Sequence, residues 1–326
     1  MSDYDKYIST GNVGLTPEQL GEIIAEATRQ SAVLSLGRRL RNMTTGELKL
    51  KVSTALPEVY FVGEKGKSQT YPPDALKKTT KSEWEDVSIY AGELAAIVVI
   101  PNNVFNDANF DIFAEVKAQM PGAIAKTIDR AVFYGQAGVD VPDDWSNGIF
   151  VNAPASHKIT AGTGADVYDD LLGEEGVFAV VEEDGYDVNG IVSATTMKAK
   201  LRGLRDGTNG MPLFTMSIQD GPQYALAGVP MTFPENGGFD PSETLLIAGD
   251  WNKLVYSIRQ DMAFDVFDTG VIQDASGNIT HNLMQEDLTA LRVTFRMAWG
   301  MPLPAQQARV VASGVYPFGF YVPSGV

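Results

Sequence analysis

The sequence predicts a mixed α+β fold in two lobes, with an arm and a long loop that have no core of their own. Three observations lead there. First, a polar excursion beyond Ala55 passes through Lys65, Lys67, Lys77, Lys78 and Lys81 before strand-like residues resume near Val87. Second, the apolar stretch 94–100 returns from it and leads almost at once into a long amphipathic helix. Third, past residue 165 the pattern changes to short helices alternating with short strands. An excursion of that length, with nothing of its own to bury, is uncommon inside a compact domain. Such a segment is stabilised by lying on another molecule, so it points to a protein that pairs with copies of itself.

The elements follow in chain order. Thr16 is suited to cap a helix, Pro17 to its first turn, and Gln19 completes the capping-box spacing. Leu20, Ile23, Ile24 and Ala27 then mark one apolar face, which the spacing extends through Val33 and Leu36 to Gly37. So short and one-sided a helix must dock on something larger. Residues 45–53 alternate as a strand and Pro57 breaks it. Tyr60-Phe61-Val62 and Val87-Ser88-Ile89-Tyr90 read as strands, with Gly63, Gly66, Pro72 and Pro73 between them. Asn106 or Asp107 is the expected cap of the long helix, which carries Phe113, Val116, Met120, Ile124, Thr127 and Ala131 at three-to-four spacing and closes at Gly135. At 1.5 Å per residue this helix is roughly 40 Å long, enough for a spine. Pro121-Gly122 in its middle is expected to kink or split it.

Between Gly135 and Ala165, Gly, Pro, Asp and Asn mark a loop or boundary. Residues 166–181 then read as one helix, 188–192 as a buried strand, and 193–204 as a helix. That last helix turns Met197, Leu201 and Leu204 inward and Lys198, Arg202 and Arg205 outward. Short strands are expected at 228–233, 244–247, 254–258 and 262–267, and a hairpin turn at 274–278. The long strand 291–299 alternates Leu291, Val293, Phe295 and Met297 against Arg292, Thr294 and Arg296. The aromatic tail 316–321 reads as a core strand.

Composition excludes much. The 326 residues hold enough apolar sequence for a sizeable core, with 44% hydrophobic and 20% charged residues. No run approaches the roughly 18–20 apolar residues of a membrane helix, and the start, Met-Ser-Asp-Tyr-Asp-Lys, lacks a secretory signal. A soluble protein used in a cytoplasm is the expectation, with no membrane partner. Cysteine is absent and only His157 and His281 represent histidine. No thiolate site exists, most zinc sites are removed, and a Ser-His-Asp triad is possible only through one of these two residues. A loop or surface role is expected for both.

The net charge of −16 is uneven: residues 1–130 hold 15 Lys and Arg against 17 Asp and Glu, and the remainder 10 against 24. An acidic field opposes indiscriminate association with nucleic acid. The local exception is Arg29, Arg38, Arg39, Arg41, Lys49 and Lys51, which reads either as a solvated arm or as a strip meeting nucleic acid or an acidic partner.

Enzyme motifs are lacking. Gly162-Thr163-Gly164 has neither the third glycine nor the strand–helix setting of a phosphate loop, so it is expected to be a turn. Asp187-Val188-Asn189-Gly190 lacks the closing glutamate of a calcium loop. The acidic pairs Asp143-Asp144, Asp169-Asp170, Glu174-Glu175 and Glu182-Glu183 offer a glycosidase its carboxylates only in principle, because adjacent helical residues diverge by about 100°. No catalytic residue, cofactor or metal ligand is assigned.

The order of segments resembles the major capsid proteins of tailed bacteriophages, the Hong Kong 97 fold, over nearly the whole chain. Residues 16–24 followed by Ser31-Ala-Val-Leu34 resemble the family's N-terminal arm. The stretch 59–64, the basic residues after it and 91–107 resemble its extended loop and return strand. Ile128-Asp129-Arg-Ala-Val-Phe-Tyr-Gly135 is similar to the end of its spine helix. Residues 197–213, 226–230 and Gly249-Asp250-Trp251 resemble parts of the axial domain, and 290–296 with Pro304-Ala305 the closing strand.

This resemblance implies an arm over 1–54, an extended loop and return strand over 55–107, and a spine helix and peripheral domain over 108–164. It further implies a mainly axial domain over 165–290 and a closing segment over 291–326. It also implies self-assembly into hexamers and pentamers of an icosahedral or prolate head around double-stranded DNA in a host cytoplasm. Expected partners are a separate scaffolding protein (the chain starts at the arm), a portal, a decoration protein and non-specifically held DNA. Glu64, Lys65, Lys67, Lys77, Lys78 and Lys81 are the expected intersubunit residues. Arg38, Arg39 and Arg41 are the expected inner-surface or scaffold contacts. An encapsulin-like compartment shell and a soluble acidic hydrolase are the alternatives.

Overall fold

The computed structural model describes residues 31–55, 57, 59, 79–107, 112–135, 141–203, 214–217, 223–274, 276–303 and 315–324. The helix expected from Thr16 and the strand at 60–62 lie outside them. Where the description begins, Ser31 is extended, with φ −91° and ψ 126°, and its hydroxyl accepts from Leu34 N–H. It therefore caps a new helix, α1 (Ala32–Leu36), and the expected continuous helix through this point is corrected. A hydroxyl that takes up an orphan N–H competes with helix propagation. Gly37 ends α1 as the sequence suggests.

A four-stranded sheet has the order β1 (Arg38–Arg39), β11 (Val255–Phe267), β14 (Leu288–Gly300) and β4 (Gly92–Pro101). Strands 254–258 and 262–267 are corrected to one, β11. Its polar middle, Arg259 to Asp261, is absorbed by register shifts against β14 rather than forming a turn. The alternation of β14 holds, with Leu291, Val293, Phe295 and Met297 buried and Arg292, Thr294 and Arg296 half-buried on the other face. Helix α2 (Asn102–Asp107) follows β4, so Asn106 and Asp107 end a short helix instead of capping the long one.

The long helix is described from Ile112 to Tyr134 (α3), 23 residues or about 35 Å. It runs unbroken through Pro121, so the expected split is not seen. Proline removes one N–H, the partner of the Lys117 carbonyl. That loss is outweighed by the buried face of Met120, Ile124, Ile128 and Val132. The Lys117 ammonium lies 5.9 Å from the Phe264 ring of β11, and Phe133 near the other end meets the Trp251 ring at 6.3 Å.

The second sheet has seven strands among the described residues. Their order is β5 (Lys158–Thr160), β15 (Phe318–Val322), β10 (Leu246–Gly249), β6 (Gly190–Ser193), β9 (Val229–Thr232), β8 (Gln223–Leu226) and β7 (Phe214–Ser217). The aromatic tail is its core strand, with Phe318, Phe320 and Tyr321 buried. The single helix expected over 166–181 is two, α4 (Val167–Leu172) and α5 (Val177–Glu183). Gly173 closes the first in extended backbone and Gly176 opens the second. Helix α6 (Met197–Arg202) is shorter than expected but buries Met197 and Leu201. The hairpin β12 (Val271–Gln273) and β13 (Ile279–Asn282) turns at Asp274, whose carboxylate accepts from Ser276 and Asn278 N–H. One continuous apolar core joins the two sheets through α3, from Phe264 and Val293 to Ile191 and Phe320.

Candidate assembly surfaces

The excursion is rooted in a two-stranded ribbon, β2 (Glu47–Ala55) against β3 (Glu83–Tyr90). Period-two alternation gives it two unlike faces. Leu48, Leu50, Val52, Val87 and Ile89 share one, and Lys49, Lys51, Asp86 and Ser88 the other. The root of the apolar face packs where Met43, Ile89 and Ala298 form a small cluster with Leu40, Leu48 and Leu50. Each strand pairs only with the other among the described residues, so both outer edges offer backbone donors and acceptors. Toward the far end Trp84 is 64% exposed and Val59 96%. Lys81 is exposed there. Glu64, Lys65, Lys67, Lys77 and Lys78 lie outside the described residues.

The root of the N-terminal arm is tied to the spine by one carboxylate. Asp129 is fully buried in α3. Its Oδ1 accepts from the Ser31 hydroxyl at 2.5 Å and Val33 N–H at 3.1 Å. Its Oδ2 accepts from Ala32 N–H at 3.0 Å and Asn236 Nδ2 at 2.7 Å. Burial pushes this carboxyl up from its ordinary pKa, while the four donors pull it back. The arm then runs along β11, with Leu40 and Met43 N–H donating to Tyr256 and Ile258 carbonyls.

This path lays Arg38, Arg39 and Arg41 on the sheet edge, all exposed. Burial raises the Tyr256 phenol, and Arg39 beside it acts in the opposite direction. Arg259 joins the strip, its Nη1 donating to the Met43 carbonyl at 3.5 Å. Sequence reading missed Arg259 and Asp129, which reach these places only through tertiary structure. The available signal for Asp129 was a lone carboxylate beside Ile128 and Val132 on an apolar face.

The remaining polar motifs are braces. Asp170 accepts from Gly162 and Gly164 N–H at 2.9 and 2.6 Å and from the Tyr321 hydroxyl at 2.8 Å, which makes the Gly-Thr-Gly segment a turn around a carboxylate. Asn189 donates to Asp250 and accepts from Trp251 N–H. His157 is buried rather than at the surface: Nδ1 is 2.9 Å from the Phe318 carbonyl and Nε2 3.0 Å from Asp184. Its environment of two acceptors is structural, while His281 stands half-exposed beside Glu286. Glu174, Glu175, Glu182 and Glu183 are exposed, and no acidic or histidine group among the described residues is arranged to hold a metal ion.

Comparison with known proteins bears on these surfaces. Residues 11–305 match the Phage capsid family. The major capsid protein of Staphylococcus phage 80alpha is 25% identical over 279 residues, which is 85% of this chain and 78% of that one. A solved structure from Microbacterium phage Oxtober96 superposes with a TM-score of 0.73 and 29% identity, covering 90% of this chain and 91% of its own. One from Mycobacterium phage Adephagia covers 100% of this chain and 99% of its own, at 25% identity and a TM-score of 0.70. These matches favour a phage capsid over a compartment shell or a hydrolase. The chain belongs to the phage capsid family and is a structural, self-assembling protein of the virion rather than an enzyme.

Proposed function

We propose that the ribbon β2–β3 is the arm by which each subunit grips a neighbour, closing hexamers and pentamers into a head around double-stranded DNA. The observation that carries this reading is the pair of ribbon edges that no strand covers among the described residues, above a small apolar footing. Edges of that kind pair with another strand by β-augmentation, backbone to backbone. Each such contact is modest, but every subunit makes several at once and the effective concentrations multiply. Glu64, Lys65, Lys67, Lys77, Lys78 and Lys81 extend the grip along the loop. Residues 1–54 form the arm, 55–107 the loop and return strand, 108–164 the spine and peripheral domain, 165–290 mainly the axial domain and 291–326 the closing segment.

Arg38, Arg39 and Arg41 face the interior in this reading, where they engage an acidic segment of a separate scaffolding protein or the packaged DNA. The acidic remainder of the chain keeps close-packed DNA from adhering elsewhere. A portal and a decoration protein complete the particle, and assembly takes place in the host cytoplasm. Deleting Pro72 to Lys81 tests the proposal. The expected product is a folded subunit that forms no closed shells in electron micrographs. Shells of normal form from the deletion overturn it.

A further inference from the structure

We infer that Gly92 and Gly300 are positioning residues that set the angle at which the ribbon leaves the subunit. The inference rests on the reading of the ribbon as the gripping arm. Strands β3 and β4 are nearly one strand, interrupted only at Ala91, whose N–H donates to the Gly46 carbonyl across the ribbon root. Ala91 is the pivot, since the ladder that holds β3 to β2 ends at Tyr90 and the ladder that holds β4 to β14 begins at Gly92.

Two bare Cα atoms flank this pivot. A Cβ on Gly300 would stand 2.5 Å from Ile89 Cγ2. A Cβ on Gly92 would stand 2.9 Å from Trp145 Cε2 and Nε1. Neither neighbour yields easily. Ile89 is branched at Cβ, stiff in χ1, and buried against Met43 and Ala298. Trp145 is buried, meets the Trp299 ring edge-on at 6.3 Å, and donates from Nε1 to the Tyr90 carbonyl at 3.4 Å. The body of the subunit thus meets the ribbon root at two points, the Gly300 main chain against Ile89 and the Trp145 indole against the Tyr90 carbonyl, and a side chain on Gly300, or one on Gly92 that pushes the indole, acts as a wedge.

The lever is long. Restoring ordinary contact at Gly300 moves Ile89 back by about 1 Å, and Ile89 sits about 7 Å from the pivot at ~3.3 Å per residue. That is a rotation of about 8°, which displaces Glu85, about 20 Å out, by about 3 Å. A shell whose subunits meet through the ribbon responds with altered curvature or fails to close.

The absence of cysteine makes the angle directly measurable. Spin labels on Glu85→Cys in the ribbon and Asp261→Cys in the sheet report it in the soluble full-length subunit by double electron–electron resonance. Gly300→Ala is expected to shift the mean label distance by up to about 3 Å, and adding Ile89→Leu, which removes the Cβ branch, is expected to restore it. Gly92→Ala is the second variant, read the same way if Gly300→Ala does not fold. An unchanged distance in a folded variant overturns the inference. Shell diameter measured on the same variants separates the two readings. A shifted distance with altered or absent shells supports both, whereas a shifted distance with shells of wild-type diameter overturns the gripping role of the ribbon and leaves the hinge standing.

Discussion

Replacing Asp129 with asparagine keeps the shape of the side chain and removes its charge. If the amide oxygen takes the Oδ1 position, Ser31 and Val33 keep their acceptor. The amide nitrogen then faces the Asn236 amide, which is half-buried, and Ala32 N–H, a buried donor that loses its acceptor. An unpaired buried donor costs about 1–3 kcal/mol, a half-buried one less, and relief of the buried charge offsets part of the sum. The net loss is about 2 kcal/mol, concentrated where the arm meets the spine. Hydrogen exchange is the assay that sees it locally. The Ala32 and Val33 amides are expected to exchange about 30-fold faster in the variant, as 1.4 kcal/mol corresponds to a factor of ten. A urea titration of the full chain measures any share of the loss that is global. Exchange at these two amides unchanged within a factor of two or so would refute the view that this carboxylate fastens the arm.

Other outcomes follow from the same structure. Burial raises the Asp170 carboxyl, but N–H groups of Gly162, Gly164 and Thr163 and the Tyr321 hydroxyl hold it below its ordinary value. A depressed native pKa adds stability that is present above the unfolded value of about 3.9 and lost as pH falls through the native one. The stability gap between the protein and Asp170→Asn therefore narrows as pH drops from about 5 to about 2; thermal melts across that range check it, and a constant gap contradicts it. Replacing Arg38, Arg39 and Arg41 together by alanine is expected to leave the melting temperature nearly unchanged, since all three are exposed. The same triple change is expected to lower the salt slope of binding to single-length DNA fragments by about 3, read by fluorescence anisotropy. An unchanged slope removes the strip from any anion-binding role.

Much of the architecture is legible in the sequence where one face is apolar and the other polar. The alternation of β14 and the aromatic run of β15 define their buried faces without help from tertiary structure. Legibility fails where local chemistry and global packing disagree. Arg259 to Asp261 look like a turn, yet pairing with β14 carries the strand across them. Pro121 looks like a break, yet burial on both sides holds the helix together. The Gly173 to Gly176 stretch is the reverse case, since Leu171 and Phe178 on either side stand about two helical turns apart while the backbone between them is broken. Of the assembly surfaces, the ribbon strands were visible as alternation. The fastening of the arm by Asp129, and the approach of Gly300 to Ile89, join residues about 97 and 211 positions apart, and spacing along a chain carries no record of such meetings.

The most direct test of the central claim is a cryo-electron microscopy map of the assembled particle at a resolution that traces strands. The expected density shows each β2–β3 ribbon lying against the body of a neighbouring copy, with at least one of its outer edges hydrogen-bonded or covered there. A ribbon folded back on its own subunit, with the shell held together by other surfaces, would contradict it.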